Sequence, residues 1–368
     1  MQFLQANARR VVVKIGTNSL AERGGGIRTD RIRDLCAQIA GLHGKGFEVL
    51  VVSSGAIGMG LGKLGLKRRP SDLASLQACA AVGQPCLMEA WQRCLESEGM
   101  GTAQILLTRE DIRGRKRHLN VRNTLEKLLS ARIVPVVNEN DTVSADEIRF
   151  GDNDVLSALL ASLLKADLLV ILSTIPGLME QQGKGALIPV VEAITKDIES
   201  MAGGARDEQS TGGMVTKIEA ARLATHSGCG VFIGSAGEPD ILEEIRVGKA
   251  RGTFFVPQTI SLAARKRWIA FFEKPCGSLH LDAGAVTAVR ERNSSLLAKG
   301  VTQCTGTFKE GSVATLHDPD GKIIARGIVT YDSDTLQGIL GLTSREIRER
   351  LPDRSRYEVV HRDGLVLI

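Results

Sequence analysis

The chain has 368 residues, 43% hydrophobic and 24% charged, with a formal net charge of +5; this is the make-up of a globular protein of two or three domains. That charge is too small for the chain's size to point to nucleic acid by itself. No apolar run of about 18 residues is present, which excludes a membrane-spanning helix, and seven cysteines without a C-x-x-C pair argue against a zinc site or a disulfide framework. The opening MQFLQANARR lacks the charged-then-apolar pattern of a secretory signal, so a cytoplasmic location is expected.

Short apolar runs alternate with helical stretches. Val11–Ile15 reads as a buried strand, and Arg31–His43 as a helix with Thr29 or Asp30 as its N-cap. Glu48–Ser53 is a second strand. Leu73–Leu95 is a long helical region interrupted by Gly83 and Pro85. Ala103–Leu107 reads as a strand, Asn120–Ser130 as a helix, Ile133–Asn138 as a strand, and Asn153–Leu164 as a helix. Leu168–Leu172 is a strand, Thr216–Ser227 a helix and Val231–Ile233 a further strand. This alternation predicts an α/β fold with a mostly parallel sheet covered on both faces. In such sheets ligands sit beyond the carboxyl ends of the strands.

The pattern changes near residue 260. We expect a catalytic domain over 1–258, a linker over 259–275 and a small β-rich domain over 276–368. In the last segment GSLHLDAGAVTAV and the text after it read as short strands, and Asp320-Gly321 is a hairpin signal.

Four loops carry candidate chemistry. Lys14 ends the first strand before Gly16-Thr17-Asn18-Ser19, an arrangement that suits phosphate but equally suits a surface lysine. The second strand runs into Ser53-Ser54-Gly55-Ala56, small enough for a ligand carboxylate to reach the next helix N-terminus; a tight turn explains it as well. Asn138, Asn140 and Asp141 crowd the end of another strand, and Gly151-Asp152-Asn153-Asp154 opens a helix. Helix capping accounts for one of these residues, not for both clusters, and so many acidic and amide groups imply a cation or ammonium nearby. Finally, Thr211-Gly212-Gly213-Met214-Val215-Thr216-Lys217 starts a helix with a second lysine. Gly60, Gly62 and Gly65 match G-x-G-x-x-G but do not follow a strand directly, and no Walker motif is present. The basic runs Lys67–Arg69 and Arg113–Arg117 read as solvated faces, and the six histidines form no metal-ligand pattern.

Taken in order, VVVKIGTNSL, VVSSGAIGMG, VPVVNENDTV, FGDNDVLSALLA and STGGMVTKIEAA resemble the glutamate 5-kinases of the amino-acid kinase family, over roughly residues 8–258. AAVGQPCLMEAW and QILLTREDIRGRKRHLNVRNTL share that likeness, and the tail from 276 resembles a PUA domain, a small β-barrel. The resemblance implies an αβα sandwich and ATP-dependent phosphorylation of the glutamate side-chain carboxylate, the first step of proline synthesis. It implies catalytic roles for Lys14 and Lys217 on the transferring phosphoryl group, with Asp154 holding both lysines. Ser54, Asp141 and Asn153 would bind glutamate, with Asp152 close by. Lys14, Ser173, Thr174 and Thr211–Lys217 would hold the nucleotide, and Mg²⁺ would arrive with ATP. The resemblance further implies a homodimer or tetramer, feedback inhibition by proline through the loop Gly58–Ser71, and hand-off to glutamyl phosphate reductase. Where the family has Thr-Asp after the fifth strand, this chain has Ser173-Thr174, and Arg206–Ser210 replaces a glycine-rich approach, so nucleotide preference is the open point.

Two other readings remain. One keeps the family and changes the acceptor, to N-acetylglutamate, aspartate, carbamate or a nucleotide monophosphate. The other is a regulatory or RNA-binding protein on a weakened kinase scaffold. The tail carries 12 Lys+Arg and 12 Asp+Glu from Cys276 to Ile368, so it lacks the basic footprint RNA requires.

Overall fold

The structure, a computed structural model, describes residues 8–20, 26–113, 115–144, 153–183, 185–203, 213–258, 275–292, 294–352, 354 and 357–368. The chain divides into two compact units, Met1–Ser261 and Leu262–Ile368. The expected linker lies almost wholly outside the described residues.

The first unit is built on eight strands: β1 (Arg10–Ile15), β2 (Glu48–Ser53), β3 (Thr102–Leu107), β4 (Val134–Glu139), β5 (Leu168–Ser173), β6 (Val190–Val191), β7 (Gly230–Ser235) and β8 (Gly252–Phe255). They form one sheet in the order β3-β4-β2-β1-β5-β7-β8-β6. Every pairing is parallel except β7 with β8. Among the described residues the helices are α1 (Thr17–Leu20), α2 (Thr29–Gly44), α3 (Ala56–Lys63), α4 (Leu73–Ser97), α5 (Arg109–Arg113), α6 (Arg115–Ser130), α7 (Asn153–Leu164), α8 (Glu180–Gly183), α9 (Lys196–Met201), α10 (Met214–His226) and α11 (Ile241–Val247).

Strand parity sorts the two faces of the sheet. Val11, Val13 and Ile15 join a core cluster with Ile39 of α2 and Trp91 of α4. Lys14 alternates with them and so faces the other side of the sheet. There α7 packs; all twelve of its residues are buried, as expected of a helix whose sequence is apolar nearly all round.

Several local expectations are corrected. The N-cap of α2 is Arg28, without a side-chain cap; Thr29 and Asp30 are its first helical residues. Helix α4 is continuous through Gly83 and Pro85 rather than interrupted there. The reason is packing against α3. A Cβ on Gly83 would lie 1.9 Å from the Ala56 carbonyl oxygen, and one on Gly60 would lie 1.8 Å from that of Cys79. The two backbones therefore touch, and the burial gained outweighs the lost helical hydrogen bond at the proline. Gly60 of the G-x-G-x-x-G match is thus a helix-contact residue.

The second unit has a six-stranded sheet of β9 (Gly277–Leu281), β10 (Leu296–Leu297), β11 (Val301–Thr305), β12 (Val313–His317), β13 (Ile323–Val329) and β14 (Glu358–Leu367), in the order β10-β14-β13-β12-β9-β11. The Asp320-Gly321 turn joins β12 and β13 as an antiparallel hairpin. Ala283–Arg290 is a helix, α12, not a strand, because Asp282 caps it by accepting from the Ala285 N–H. Two further helices, α13 (Ser333–Ile339) and α14 (Ser344–Arg350), were not legible as such. No helix among the described residues is long and apolar enough to cross a membrane.

Candidate active site

The register aligns the carboxyl ends of the central strands: Ile15 of β1 pairs with Ser53 of β2 and Leu172 of β5. One residue earlier, Lys14 reaches across to the first turn of α7 and forms an ion pair with Asp154 Oδ1. Lys217, in the first turn of α10, approaches Asp154 Oδ2 at 3.1 Å, and Thr216 Oγ1 donates to the same oxygen at 3.0 Å. All three charged groups are buried: side-chain exposure is 6% for Lys14, 5% for Lys217 and zero for Asp154. Burial pushes the Asp154 carboxyl up, but the two lysines beside it more than offset this and hold it well below the usual carboxylate range. A carboxylate shared between two lysines fixes both side chains and places two ammonium groups side by side. That pair suits an anion that develops further negative charge, as a transferring phosphoryl group does.

A second polar cluster lies next to it in the chain. Asn153, which precedes Asp154, donates through Nδ2 to Ser54 Oγ at 2.7 Å and to Asn138 Oδ1 at 2.9 Å. Asn138 in turn donates through Nδ2 to Gln84 Oε1 at 2.8 Å. Ser53, at the end of β2, accepts at Oγ from the Trp91 indole N–H at 2.9 Å. The carboxyl ends of β2 and β4 and the start of α7 are therefore one hydrogen-bonded unit, braced from α4. Asn153 Oδ1 is buried and has no hydrogen-bond partner among the described residues. It is an acceptor available to a ligand donor such as an ammonium group.

Asp141 stands in the turn after β4, half-buried. Burial raises its carboxyl to about 6, against the opposing pull of the Arg69 guanidinium in the loop between α3 and α4. Arg69, read from sequence as part of a solvated face, is exposed but also lies within electrostatic reach of the candidate site.

The nucleotide candidates are arranged differently. Gly213 is the extended N-cap of α10, and among the described residues no side chain caps it, so the first backbone N–H groups of that helix suit an anionic ligand. Met214 and Val215 follow, Val215 being 59% exposed. Ser173 ends β5 and accepts the Ile175 N–H at 3.2 Å, a local turn; Thr174 beside it is exposed. Among the described residues, neither bonds to the Lys14–Asp154–Lys217 cluster. Asp152, Thr211 and Gly212 lie outside the described residues.

Sequence reasoning therefore named the residues that converge: Lys14, Ser54, Asn153, Asp154, Thr216 and Lys217. It treated Thr216 only as part of a nucleotide loop and passed over Gln84. The available signal for Gln84 was an amide set between Gly83 and Pro85 in an otherwise apolar stretch of α4.

A family model described as the amino acid kinase family matches residues 9–235, and one described as the PUA domain matches residues 277–351. The chain is similar to the glutamate 5-kinase of Trichlorobacter lovleyi, at 45% identity over 99% of this chain and 98% of that one. It is similar to the glutamate 5-kinase of Bradyrhizobium sp. (strain BTAi1) at 47% identity, over 98% and 96% of the two chains. To the glutamate 5-kinase of Nitrosospira multiformis it is 43% identical over the full length of both.

Proposed function

This chain belongs to the amino acid kinase family, and from that premise we propose that it is a glutamate 5-kinase, transferring the γ-phosphate of ATP to the side-chain carboxylate of L-glutamate. The product is L-glutamyl 5-phosphate, and the reaction opens proline biosynthesis. The observation that carries the reading is the buried Lys14–Asp154–Lys217 cluster set beside the Ser54–Asn153–Asn138 network.

A carboxylate is already a competent nucleophile, so the reaction needs no general base. The barrier is the mutual repulsion of two anions. Lys14 and Lys217 flank the phosphoryl group in flight and stabilise the charge on its oxygens. Asp154 keeps the two ammonium groups together although they repel each other. The exposed start of α10, with Gly213–Thr216, receives nucleotide phosphate; Thr211 and Gly212 belong to the same assignment, as do Ser173 and Thr174 at the end of β5. Ser54, Asn153 and Asp141 take glutamate: the acceptor Asn153 Oδ1 and the Asp141 carboxylate suit its ammonium, and Asp152 is assigned beside them.

Kinases of this kind use a divalent metal with ATP, and we assign it as Mg²⁺ on the nucleotide phosphates. Both Asp154 oxygens face lysines, and no cluster of three His, Cys, Asp or Glu among the described residues is arranged to hold an ion, so no residue of the chain is assigned as a metal ligand. Activity in the cytoplasm, a homodimer or tetramer, inhibition by proline through the loop Gly58–Ser71 and delivery of the labile acyl phosphate to a reductase complete the proposal. Arg69 of that loop pulls the Asp141 carboxyl down electrostatically, which supports a link between the loop and the glutamate site.

The test is a coupled assay of ADP release, with the acyl phosphate trapped by hydroxylamine as its hydroxamate, using glutamate, N-acetylglutamate and aspartate as acceptors and ATP or GTP as donors. Turnover that depends on glutamate is the expected result. Absence of glutamate-dependent turnover with either nucleotide rejects the reading.

A further inference from the structure

Gln84 is 9% exposed, lies on α4 and takes no part in the chemistry described above, yet it ends the amide network of the candidate glutamate site. Two backbone groups fix the bond directions in that network: the Ser53 carbonyl, which accepts from Asn153 Nδ2 at 3.3 Å, and the N–H of Glu139. The Glu139 N–H donates to the Asn138 side chain at 2.9 Å, so the atom it meets must be the Asn138 oxygen. The Asn138 NH₂ then points the other way, towards Gln84 at 2.8 Å, where only an oxygen can accept. The Asn138 oxygen also receives Asn153 at 2.9 Å, so that side of Asn153 must be its NH₂. What remains of Asn153 is its carbonyl, buried and without a partner among the described residues.

We propose that Gln84 is a positioning residue for recognition of the substrate amine: by accepting the Asn138 NH₂ it holds the Asn138 oxygen where, together with the Ser53 carbonyl, it receives the Asn153 NH₂, so that the Asn153 carbonyl faces the substrate. The proposal rests on the reading that the substrate is glutamate. Without an acceptor at Gln84 the Asn138 NH₂ is a buried donor with no other partner among the described residues, and rotating the Asn138 amide to relieve it would turn NH₂ against the Glu139 N–H. Either outcome loosens Asn153. The backbone contact between α3 and α4 makes this arrangement possible, because Gly83 lies against Ala56 and brings the next residue within reach of β4. Gln84 Nε2 is buried and unpartnered among the described residues, so its bond to Asn138 is what selects the Gln84 rotamer.

The experiment uses the full chain and two ligands of one length, glutamate and glutarate, the latter lacking the amine. Glutamate KM and kcat, MgATP KM, and the Ki of glutarate as a competitor of glutamate are measured for wild type, Gln84→Met and Gln84→Glu. A buried amide left without its acceptor costs about tenfold in the binding it supports, so Gln84→Met raises glutamate KM by about that factor. Glutarate Ki and MgATP KM stay within about twofold, because neither ligand presents a donor to Asn153. Gln84→Glu keeps an acceptor oxygen facing Asn138 and returns glutamate KM to within about threefold of wild type. If Gln84→Met does not fold, Gln84→Asn, which withdraws the acceptor by one methylene, takes its place. Equal losses for glutamate and glutarate, an unchanged glutamate KM, or a Gln84→Glu enzyme as impaired as the methionine variant each overturn the proposal. A wild-type enzyme with no glutamate-dependent turnover overturns the substrate reading itself, before any variant is compared.

Discussion

Asp154→Asn separates the charge of the central carboxylate from its shape. Asparagine has nearly the same volume, so packing around α7 is preserved and only the countercharge is removed. Asp154 is fully buried, with Lys14 and Lys217 on its two oxygens at 6% and 5% side-chain exposure. Removing one partner of a buried ionic cluster costs about 3–5 kcal/mol, because the remaining charges stay desolvated. At about 2–4 °C per kcal/mol for a unit of this size, the expected fall in Tm is about 6–20 °C. Nucleotide phosphates restore negative charge beside the lysines, so MgATP should raise Tm more in the variant than in wild type. Thermal unfolding of the full chain with and without MgATP, alongside the ADP-release assay, measures both effects. The wild-type pH dependence gives an independent check. The Asp154 carboxyl is held below its unfolded value of about 4, so its stabilisation is complete above that value and is lost as the pH falls through the folded one. A Tm drop under about 2 °C, or turnover equal to wild type, would refute the argument that the two lysines depend on Asp154.

Lys14→Ala and Lys217→Ala should each lower kcat by about two to three powers of ten while glutamate KM changes little, and near-normal turnover in either variant would remove that lysine from the phosphoryl-transfer step. Asp141 titrates at about 6 in the free protein, so glutamate KM should rise as the pH falls below that value and its carboxylate becomes neutral. In Asp141→Asn the KM should be high throughout and lose this pH dependence; a profile unchanged from wild type would rule Asp141 out as the ammonium partner. Gly83→Ala puts a methyl group 1.9 Å from the Ala56 carbonyl oxygen and should destabilise the first unit by about 1–3 kcal/mol or more, with a weakened glutamate site, as seen by denaturant unfolding and KM together.

Much of the site was legible in linear text because each functional group sits where a strand ends or a helix begins. Lys14 is the penultimate residue of β1, β2 runs into Ser54, and Asn153-Asp154 opens α7; apolar periodicity locates those boundaries with no knowledge of contacts. The same rule could not reach Gln84. It lies mid-helix, and its role depends on a crossing of α3 and α4 that brings backbone against backbone. Arg69 is a similar case: in sequence it is one of a basic run, and only the path of the loop between α3 and α4 brings it within electrostatic reach of Asp141. In the second unit the Asp320-Gly321 turn is readable, whereas α12 reads as a strand in linear text, because small and β-branched residues in AGAVTAV leave the choice to the Asp282 cap.

By itself, then, the sequence determined the alternation of strands and helices, the presence of a second small unit and the pair of lysines at element boundaries. These follow from local periodicity and from residue chemistry at chain turns. Only the tertiary structure decided that the two lysines share one carboxylate and that three amides and a backbone N–H set one another's direction. The physical reason is that ion pairing and amide polarity depend on distances between residues up to 203 positions apart in the chain, as for Lys14 and Lys217, which strand order and helix packing alone bring together.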